Sequence, residues 1–399
     1  MYFKELIKGK KWLCVADGPR DPVTGERKQI ARRGKTKKEA EKRVLDALTK
    51  LQEDGIDETK VKCSPFDKLA YEWLDVYTRT GVKRSTIRIR EKEIKILLRY
   101  IAKVNISKIS SKMYQKILND LTDKEYARTT ISGVHTTAGM IFKYAIKEKL
   151  LKESPTIGAV VPQKRLTIED IEKNNIAEKY LERNELTEFL MTVREHGLTL
   201  DLEIFYVLAF SGMRSGELCA LKWPDINFDT REVRITKTLY NEDNNMRKYE
   251  LTPPKTKGSI RTFNLDIEII HMLKDHQKYQ AKLKLAHRHA HEDYHDENFI
   301  FCRENGYPFI QKNILIRMER LLEKTSIKKH ATPHIFRHTH ISMLAEAGVD
   351  ITTIMRRVGH DDMKTTMKIY THVTDKMKED ASQKVHQTFG NILKIGNSK

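Results

Sequence analysis

The apolar positions of this chain change period three times, and each change marks a unit. Residues 1 to about 34 carry short runs such as Trp12-Leu13-Cys14-Val15-Ala16 and Arg27 to Arg33, separated by Asp17-Gly18-Pro19-Arg20-Asp21-Pro22-Val23-Thr24-Gly25. Pro presets φ and Gly accepts positive φ, so the middle piece reads as turns and the whole as a small antiparallel sheet of about three strands. From Thr36 to Gln52 the period becomes helical, with Ala40, Val44, Ala47, Leu48 and Leu51 as the apolar stripe. Thr36 is the expected N-cap and Glu39 completes a capping box. The first unit is therefore β-β-β-α.

Polar residues 53–62 lack an apolar period and read as a linker. Beyond them Phe66, Leu69, Ala70, Trp73, Leu74 and Tyr77 follow helical spacing, and Ser85 is placed to cap a helix running to Tyr100. Further patterns at Ser111–Leu121 and Ala127–Glu148 complete an all-helical domain of four or five helices. Pro155, Pro162 and the charged residues 163–179 form a second boundary, after which Asn184 is a good cap for the opening helix of the last unit. That unit mixes an apolar helix at Leu202–Phe210, strand-like runs at Asp225–Asp229, Val233–Ile235 and Pro254–Phe263, and helices again to the end. Met377, Ala381, Val385 and Phe389 recur every four residues as the stripe of a terminal helix. The fold class is α+β in three domains, at residues 1–60, 63–160 and 175–399.

Composition changes this picture in one respect. The chain of 399 residues is 39% hydrophobic and 32% charged, as for a globular, helix-rich protein, but its formal charge is +19. A polyanion is the economical partner, and nucleic acid outranks membrane because no amphipathic anchor or lipidation signal is visible. No stretch of about 18 apolar residues occurs, and the start carries no secretory run. Cys14, Cys63, Cys219 and Cys302 show no C-x-x-C pairing, so neither a disulfide framework nor a zinc ribbon is expected. A cytoplasmic protein with reduced thiols follows. The charge is concentrated. Between Lys8 and Lys38 there are eleven Lys/Arg against three Asp/Glu, and the second helix of the helical domain carries Lys83, Arg84, Arg88, Arg90, Lys92, Lys95 and Arg99, offset by Glu91 and Glu93. A basic sheet face and a basic helix are both shapes that a major groove admits.

The candidate chemistry lies in the last unit. His334-Ile335-Phe336-Arg337-His338 is followed by Val358-Gly359-His360 and, ten residues later, Tyr370. A guanidinium fork matches phosphate oxygens, imidazoles donate to them or move protons, and a phenol can attack phosphorus. Upstream, Ser211-Gly212-Met213-Arg214-Ser215-Gly216-Glu217 sets an arginine between glycines with a carboxylate three residues on to orient it. Lys255 stands on the expected hairpin tip, with Lys257 two residues away. His287, His289, His291 and His295 resemble a metal tract but sit among charged residues and read as a surface loop. His338 and His340 read as groups that pack or orient their neighbours, and Ile351–Val358 with Gly359 as part of a helix-turn-helix.

Taken together, these motifs resemble the tyrosine recombinases of the phage and conjugative-element integrase family. The family pattern is an arginine in G-x-R-x-x-E, a lysine in a β-hairpin, H-x-x-R, G-H, and a tyrosine about ten residues on. It falls here on Arg214, Lys255, His334 with Arg337, His360 and Tyr370. Lys255 is preferred to Lys257 because the family commonly has Lys-Thr at this place. The resemblance implies an arm-type DNA-binding domain, a helical core-binding domain and a mainly helical catalytic domain with a small antiparallel sheet. It implies a site-specific integrase that breaks and rejoins DNA through a 3′-phosphotyrosyl link. In that scheme Arg214 and Arg337 clamp the phosphate, His334 is the base, Lys255 the acid, His360 a phosphate donor and Tyr370 the nucleophile.

No cofactor, metal or ATP is implied, since cationic donors do the work of a two-ion site. The implied partners are double-stranded DNA at core-type and arm-type sites, three further protomers in a tetramer docked through the terminal helix, and an excisionase or host DNA-bending protein. The implied location is the cytoplasm, on the nucleoid when DNA-bound. A non-enzymatic DNA-binding regulator accounts for the charge but not for the six ordered residues. A type IB topoisomerase shares the chemistry but needs no arm unit.

Overall fold

A computed structural model of the chain describes residues 1–20, 27–53, 65–163, 179–254, 256–360, 363–364, 366–374 and 377. Two compact units are distinguished, Met1–Arg165 and Leu166–Lys399. The expected linkers at 53–62 and 163–179 lie almost wholly outside the described residues, as do Cys63 and all of the terminal stripe except Met377.

The first unit opens with antiparallel strands β1 (Tyr2–Ile7), β2 (Lys11–Arg20) and β3 (Arg27–Gly34) in that order, followed by helix α1 (Lys37–Glu53). Cys14 and Ala16 bury against Ala40 and Val44 of α1. Lys4, Leu13 and Arg33 pair across the three strands. Since Cys14 faces the helix, its neighbour Leu13 and the partners of Leu13 lie on the open face. Thr36 caps α1 as expected, its hydroxyl accepting the Glu39 N–H at 3.1 Å, while the Glu39 carboxylate reaches back to the Lys35 N–H at 2.7 Å.

A helical domain follows, with α2 (Phe66–Thr78), α3 (Arg84–Ile101), α4 (Ser111–Asp123) and α5 (Arg128–Lys147). Phe66, Leu69, Trp73, Ile94, Leu97, Tyr114, Val134 and Phe142 meet in its core. The start of α3 differs from expectation. The carbonyl of Lys83, not Ser85, accepts the first helical N–H groups, from Thr86 and Ile87 at 2.9 and 3.2 Å. Glu93 also differs, for it is buried, ion-paired to Arg90 at 2.8 Å and hydrogen-bonded by Thr137 of α5. It therefore does not offset the exposed basic face of α3.

In the second unit, α6 (Arg183–His196), α7 (Asp201–Ser211) and the short α8 (Ser215–Cys219) precede strands β4 (Ile226–Asn227), β5 (Glu232–Ile235), β6 (Thr238–Asn241), β7 (Tyr249–Thr252) and β8 (Arg261–Asn264). Helices α9 (Ile267–His287), α10 (Gln311–Leu322), α11 (Ile335–Glu346) and α12 (Ile351–Val358) follow, then a helical stretch over residues 366–374. The cap of α6 is Glu182 rather than Asn184, because the Glu185 carboxylate takes the Glu182 N–H at 2.7 Å. Strands β4, β5 and β8 form one antiparallel sheet, and β6 with β7 a separate ribbon. The stretch expected as a hairpin tip at Pro254 instead joins the two sheets, since β7 pairs with β6 and β8 with β5. Pro253 and Pro254 have no N–H to donate, which ends the β7 ladder there.

Helix α11 is shared between two cores. Ile335 and Phe336 enter the main one, where Phe336 lies 5.3 and 5.8 Å, ring to ring, from Phe189 and Phe205. Ile341 and Ala345 enter a smaller one with Tyr180, Ile354, Val358, Ile369 and Val373, against which Tyr370 is partly buried. No helix among the described residues is long and apolar enough to cross a membrane, and Cys14, Cys219 and Cys302 are free thiols.

Replacing Phe336 by Ala opens a cavity at the junction of α6, α7 and α11. It should lower the stability of the second unit by about 3–5 kcal/mol. Urea unfolding followed through Trp223, in a chain whose Trp12 and Trp73 are replaced by Phe, measures this. A loss below about 1 kcal/mol would show the junction to be loosely packed.

Candidate active site

The site is assembled where α7, α8, β8, α11 and α12 end or begin. Helix α7 ends on Gly212 in the left-handed region, at φ 63°, where a Cβ would lie 2.8 Å from the His340 ring. A residue with a side chain therefore meets both backbone strain and a clash there. This turn frees the Gly212 carbonyl, which accepts Arg337 Nη1 at 2.9 Å, and places Arg214 at the head of α8. Glu217, one turn on, takes the Arg214 backbone N–H at 3.0 Å and its Nη1 at 2.8 Å. The orienting role expected for Glu217 is thus what the geometry shows. Arg214 also reaches Ser259 Oγ at 3.3 Å and the Gly359 carbonyl at 3.4 Å.

Arg337 is fully buried on the first turn of α11. Its Nε donates to His360 Nε2 at 2.9 Å, and its buried Nη2 has no partner among the described residues. Burial, then the charge of Arg214, lowers its pKa, which describes a cation short of counter-charge. His360 follows Gly359, the left-handed cap of α12, and its Nδ1 lies 2.6 Å from the hydroxyl of buried Thr366. Since Nε2 accepts from Arg337, the proton sits on Nδ1 and goes to Thr366. Both ring nitrogens are committed, so in this arrangement His360 orients Arg337. A direct bond from it to phosphate requires that contact to open.

His334 caps α11 at the open edge of the site, its ring 4.8 Å from that of His338 and perpendicular to it. The surrounding protein desolvates it although one edge meets solvent, and this, followed by the charges of Arg337 and Arg214, holds its pKa below the ordinary histidine value. It is therefore neutral and able to take a proton near pH 7. Tyr370 lies in the helical stretch over residues 366–374, partly buried on the smaller core, and its hydroxyl makes no hydrogen bond among the described residues. Lys255 and the side chain of Lys257 lie outside the described residues, so the expected acid has no placement here.

Several contributors were not expected from the sequence. Arg261 is buried in β8, donating Nη2 to Glu217 at 2.8 Å, Nη1 to the Ser259 carbonyl at 3.0 Å and Nε to the Arg357 carbonyl at 2.8 Å. Arg357 in turn donates Nε to His340 Nε2 at 2.9 Å, and the other His340 nitrogen binds the Ala209 carbonyl at 3.0 Å. The signal for Arg261 was the alternation in β8, which puts Arg261 on the same buried face as Phe263. Burial sets Glu217 against its own charge, but the hydrogen bond and charge of Arg261 and the charge of Arg214 prevail and hold its carboxyl below the usual range. No group of three or more His, Cys, Asp or Glu able to hold a metal occurs among the described residues, and His295 stacks on Tyr307 at 4.4 Å.

Residues 179–377 match the phage integrase family, 2–51 an arm DNA-binding domain, and 66–122 the N-terminal SAM-like domain of phage integrases. Solved neighbours include the Tn1549 transposon integrase in complex with transposon right end DNA, at TM-score 0.62 and 19% identity over 81% of this chain and 99% of that one. Another is a lambda integrase tetramer bound to a Holliday junction, at TM-score 0.55 and 15% identity over 92% of this chain and 94% of that one. Both likenesses establish the fold.

Domain order and catalytic fold are thus those of the tyrosine recombinases, enzymes of site-specific DNA recombination. Among curated relatives, the prophage ps2 probable integrase of Lactococcus lactis is 33% identical over 95% of this chain and 97% of its own. The integrase of Staphylococcus phage L54a is 31% identical over 82% and 94%, and the ICEBs1 integrase of Bacillus subtilis 28% over 96% and 99%. The chain belongs to the phage integrase family.

The buried histidines carry a pH signature. Burial first, then the charges of Arg357 on His340 and of Arg337 on His360, pushes both down to about 3, against 6.5 for an ordinary histidine. The unfolded chain then binds protons that the folded chain refuses, so stability is full above about pH 6.5 and is lost as pH falls toward 3. The thermal midpoint of the second unit should fall steadily between about pH 6.5 and 4.5, above the carboxylate range. A midpoint that stays level across that window would show that these imidazoles are not held neutral.

Proposed function

We propose that this chain integrates and excises a mobile element or prophage, using Tyr370 as the nucleophile and the Arg214 and Arg337 pair as the phosphate clamp. The observation that carries this reading is Arg337. Among the described residues, a fully buried guanidinium whose Nη2 lacks a partner stands beside a second arginine and a single carboxylate already shared, which suits an anion. Two guanidinium forks suit the non-bridging oxygens of a phosphodiester, on which negative charge builds as phosphorus becomes pentacoordinate.

In the reaction, the Tyr370 oxygen attacks phosphorus and gives up its proton to neutral His334. The phosphorus–5′-oxygen bond breaks, and the departing oxygen takes a proton from Lys255. A 3′-phosphotyrosyl link remains, and attack by a 5′-hydroxyl of the partner strand reverses the step. The bond energy is retained in the link, so no nucleotide cofactor enters. His360 supports the scheme by orienting Arg337. The arm unit, over residues 1–60, and the helical unit, over 63–160, hold arm-type and core-type DNA through the basic faces described above. The catalytic unit takes residues 175–399. Four copies assemble on DNA, as the tetrameric lambda integrase does on a Holliday junction, with an excisionase or host DNA-bending protein as a further partner. The working compartment is the cytoplasm.

A suicide substrate, nicked near the cleavage point of the element's own attachment site, should trap a covalent adduct with the full chain and none with Tyr370→Phe. Arg337→Ala should slow adduct formation by roughly 10²–10³. Lack of any trapped adduct would favour a DNA-binding regulator over an enzyme.

Removing residues 1–60 should spare cleavage at core sites and abolish integration. It should also flatten the salt dependence of binding to the full attachment DNA, because phosphate contacts set that slope. Integration at the full-length level after this truncation would rule out the two-site arrangement.

A further inference from the structure

We infer that Arg261 is a positioning residue for the strand-transfer reaction, fixing the placement of Arg214 relative to Arg337. The inference rests on the phosphodiester reading above. Arg261 does not itself stand among the groups assigned to phosphate. Its side chain is 4% exposed, and its three nitrogens each hold a different part of the site's frame.

Nη2 binds the Glu217 oxygen that Arg214's side chain does not use, so one carboxylate is shared edge to edge by two guanidinium groups at 2.8 Å each. Nη1 binds the Ser259 carbonyl and so holds the turn whose Ser259 hydroxyl meets Arg214. Nε binds the Arg357 carbonyl on the last turn of α12, two residues before Gly359, whose carbonyl meets Arg214, and three before His360, which holds Arg337. The packing is close, for a Cβ on Gly359 would lie 3.1 Å from Arg261 Cδ. One planar fork thus ties α8, the 256–259 turn and α12 together. A lysine has one nitrogen and cannot reach three acceptors in one plane. Without the fork, Glu217 would keep its hold on Arg214 and Arg357 its bond to the Asn264 carbonyl at 3.0 Å, but the carboxylate would lose its tie to β8 and the Arg357 carbonyl would lose the donor that holds the backbone leading to Gly359.

The test separates positioning from simple architecture by changing the charge on the substrate. A methylphosphonate at the scissile position replaces one non-bridging oxygen by a neutral methyl group, so the transition state carries less charge and depends less on a well-placed Arg214. Full-length chains carrying Arg261→Met or Arg261→Lys are compared with the parent for the rate of adduct formation on phosphodiester and methylphosphonate suicide substrates.

The expected result is a loss of roughly 100-fold on the phosphodiester, shrinking to about tenfold or less on the methylphosphonate, with no rescue by lysine. A loss of equal size on both substrates, a rate within about threefold of the parent on the phosphodiester, or failure of both variants to fold overturns the positioning role. No Tyr370-dependent adduct from the parent chain overturns the phosphodiester reading itself, and the inference with it. A normal parent adduct with an undiminished variant defect overturns the inference alone.

Discussion

Glu217 is the constraint on which the site depends. It is a carboxylate buried to 2% exposure, and it survives as an anion because two guanidinium groups and a backbone N–H hold it. Removing a charge from water costs several kcal/mol unless it is paired and hydrogen-bonded, so the pairing is obligatory and not decorative. Its consequence runs outward. Arg214 is aimed, Arg261 is drawn into a sheet that would otherwise bury apolar residues, and α12 is held by its last carbonyls. Among the described residues the positive charges nevertheless outnumber this one carboxylate, since Arg337 is buried nearby with a carbonyl and an imidazole as partners. A surplus of this kind suits an anion, and the phosphodiester proposed above would supply it.

The histidines fit the same electrostatics. In a field of arginines an imidazole is most useful uncharged, as an acceptor. His360 and His340 are both used in that way, each taking an arginine Nε at 2.9 Å and passing its own proton to an oxygen. The motif H-x-x-R-H-x-H therefore contains two kinds of histidine. His334 stands at the open edge, and His340 is a bracket behind Arg337 between α7 and α12. His338 lies between them, and burial holds its pKa near 4.

Much of this was legible in the sequence because periodicity and motif order are local properties. The stripe Phe66, Leu69, Trp73 predicted its helix, and Thr36 with Glu39 predicted the start of another. The order of Arg214, His334, Arg337, His360 and Tyr370 points to phosphoryl chemistry from the sequence alone. What stayed hidden was long-range. An arginine in a short strand ordinarily points to solvent, and nothing near Arg261 announces that Glu217, 44 residues earlier, needs it. Glu93 was misjudged for the same reason, since its burial is set by Thr137 on another helix. The caps at Lys83 and Glu182 each lie two residues before the expected ones, within the usual range of such boundaries. The stretch expected as a hairpin entering β8 instead joins the two sheets, because strand pairing is decided by which strand lies alongside, not by the turn residues alone.

The helical stretch that carries Tyr370 joins this frame through Thr366, which meets His360. Ile369 and Val373 pack on Tyr180, Ile341, Ala345, Ile354 and Val358, a cluster distinct from the one that holds Phe336. Since Ile354 and Val358 belong to α12, whose Arg357 and Gly359 carbonyls hold Arg261 and Arg214, a substitution in this cluster is felt by the phenol of Tyr370 and by the arginines together, so over generations the two are retuned jointly and not one at a time.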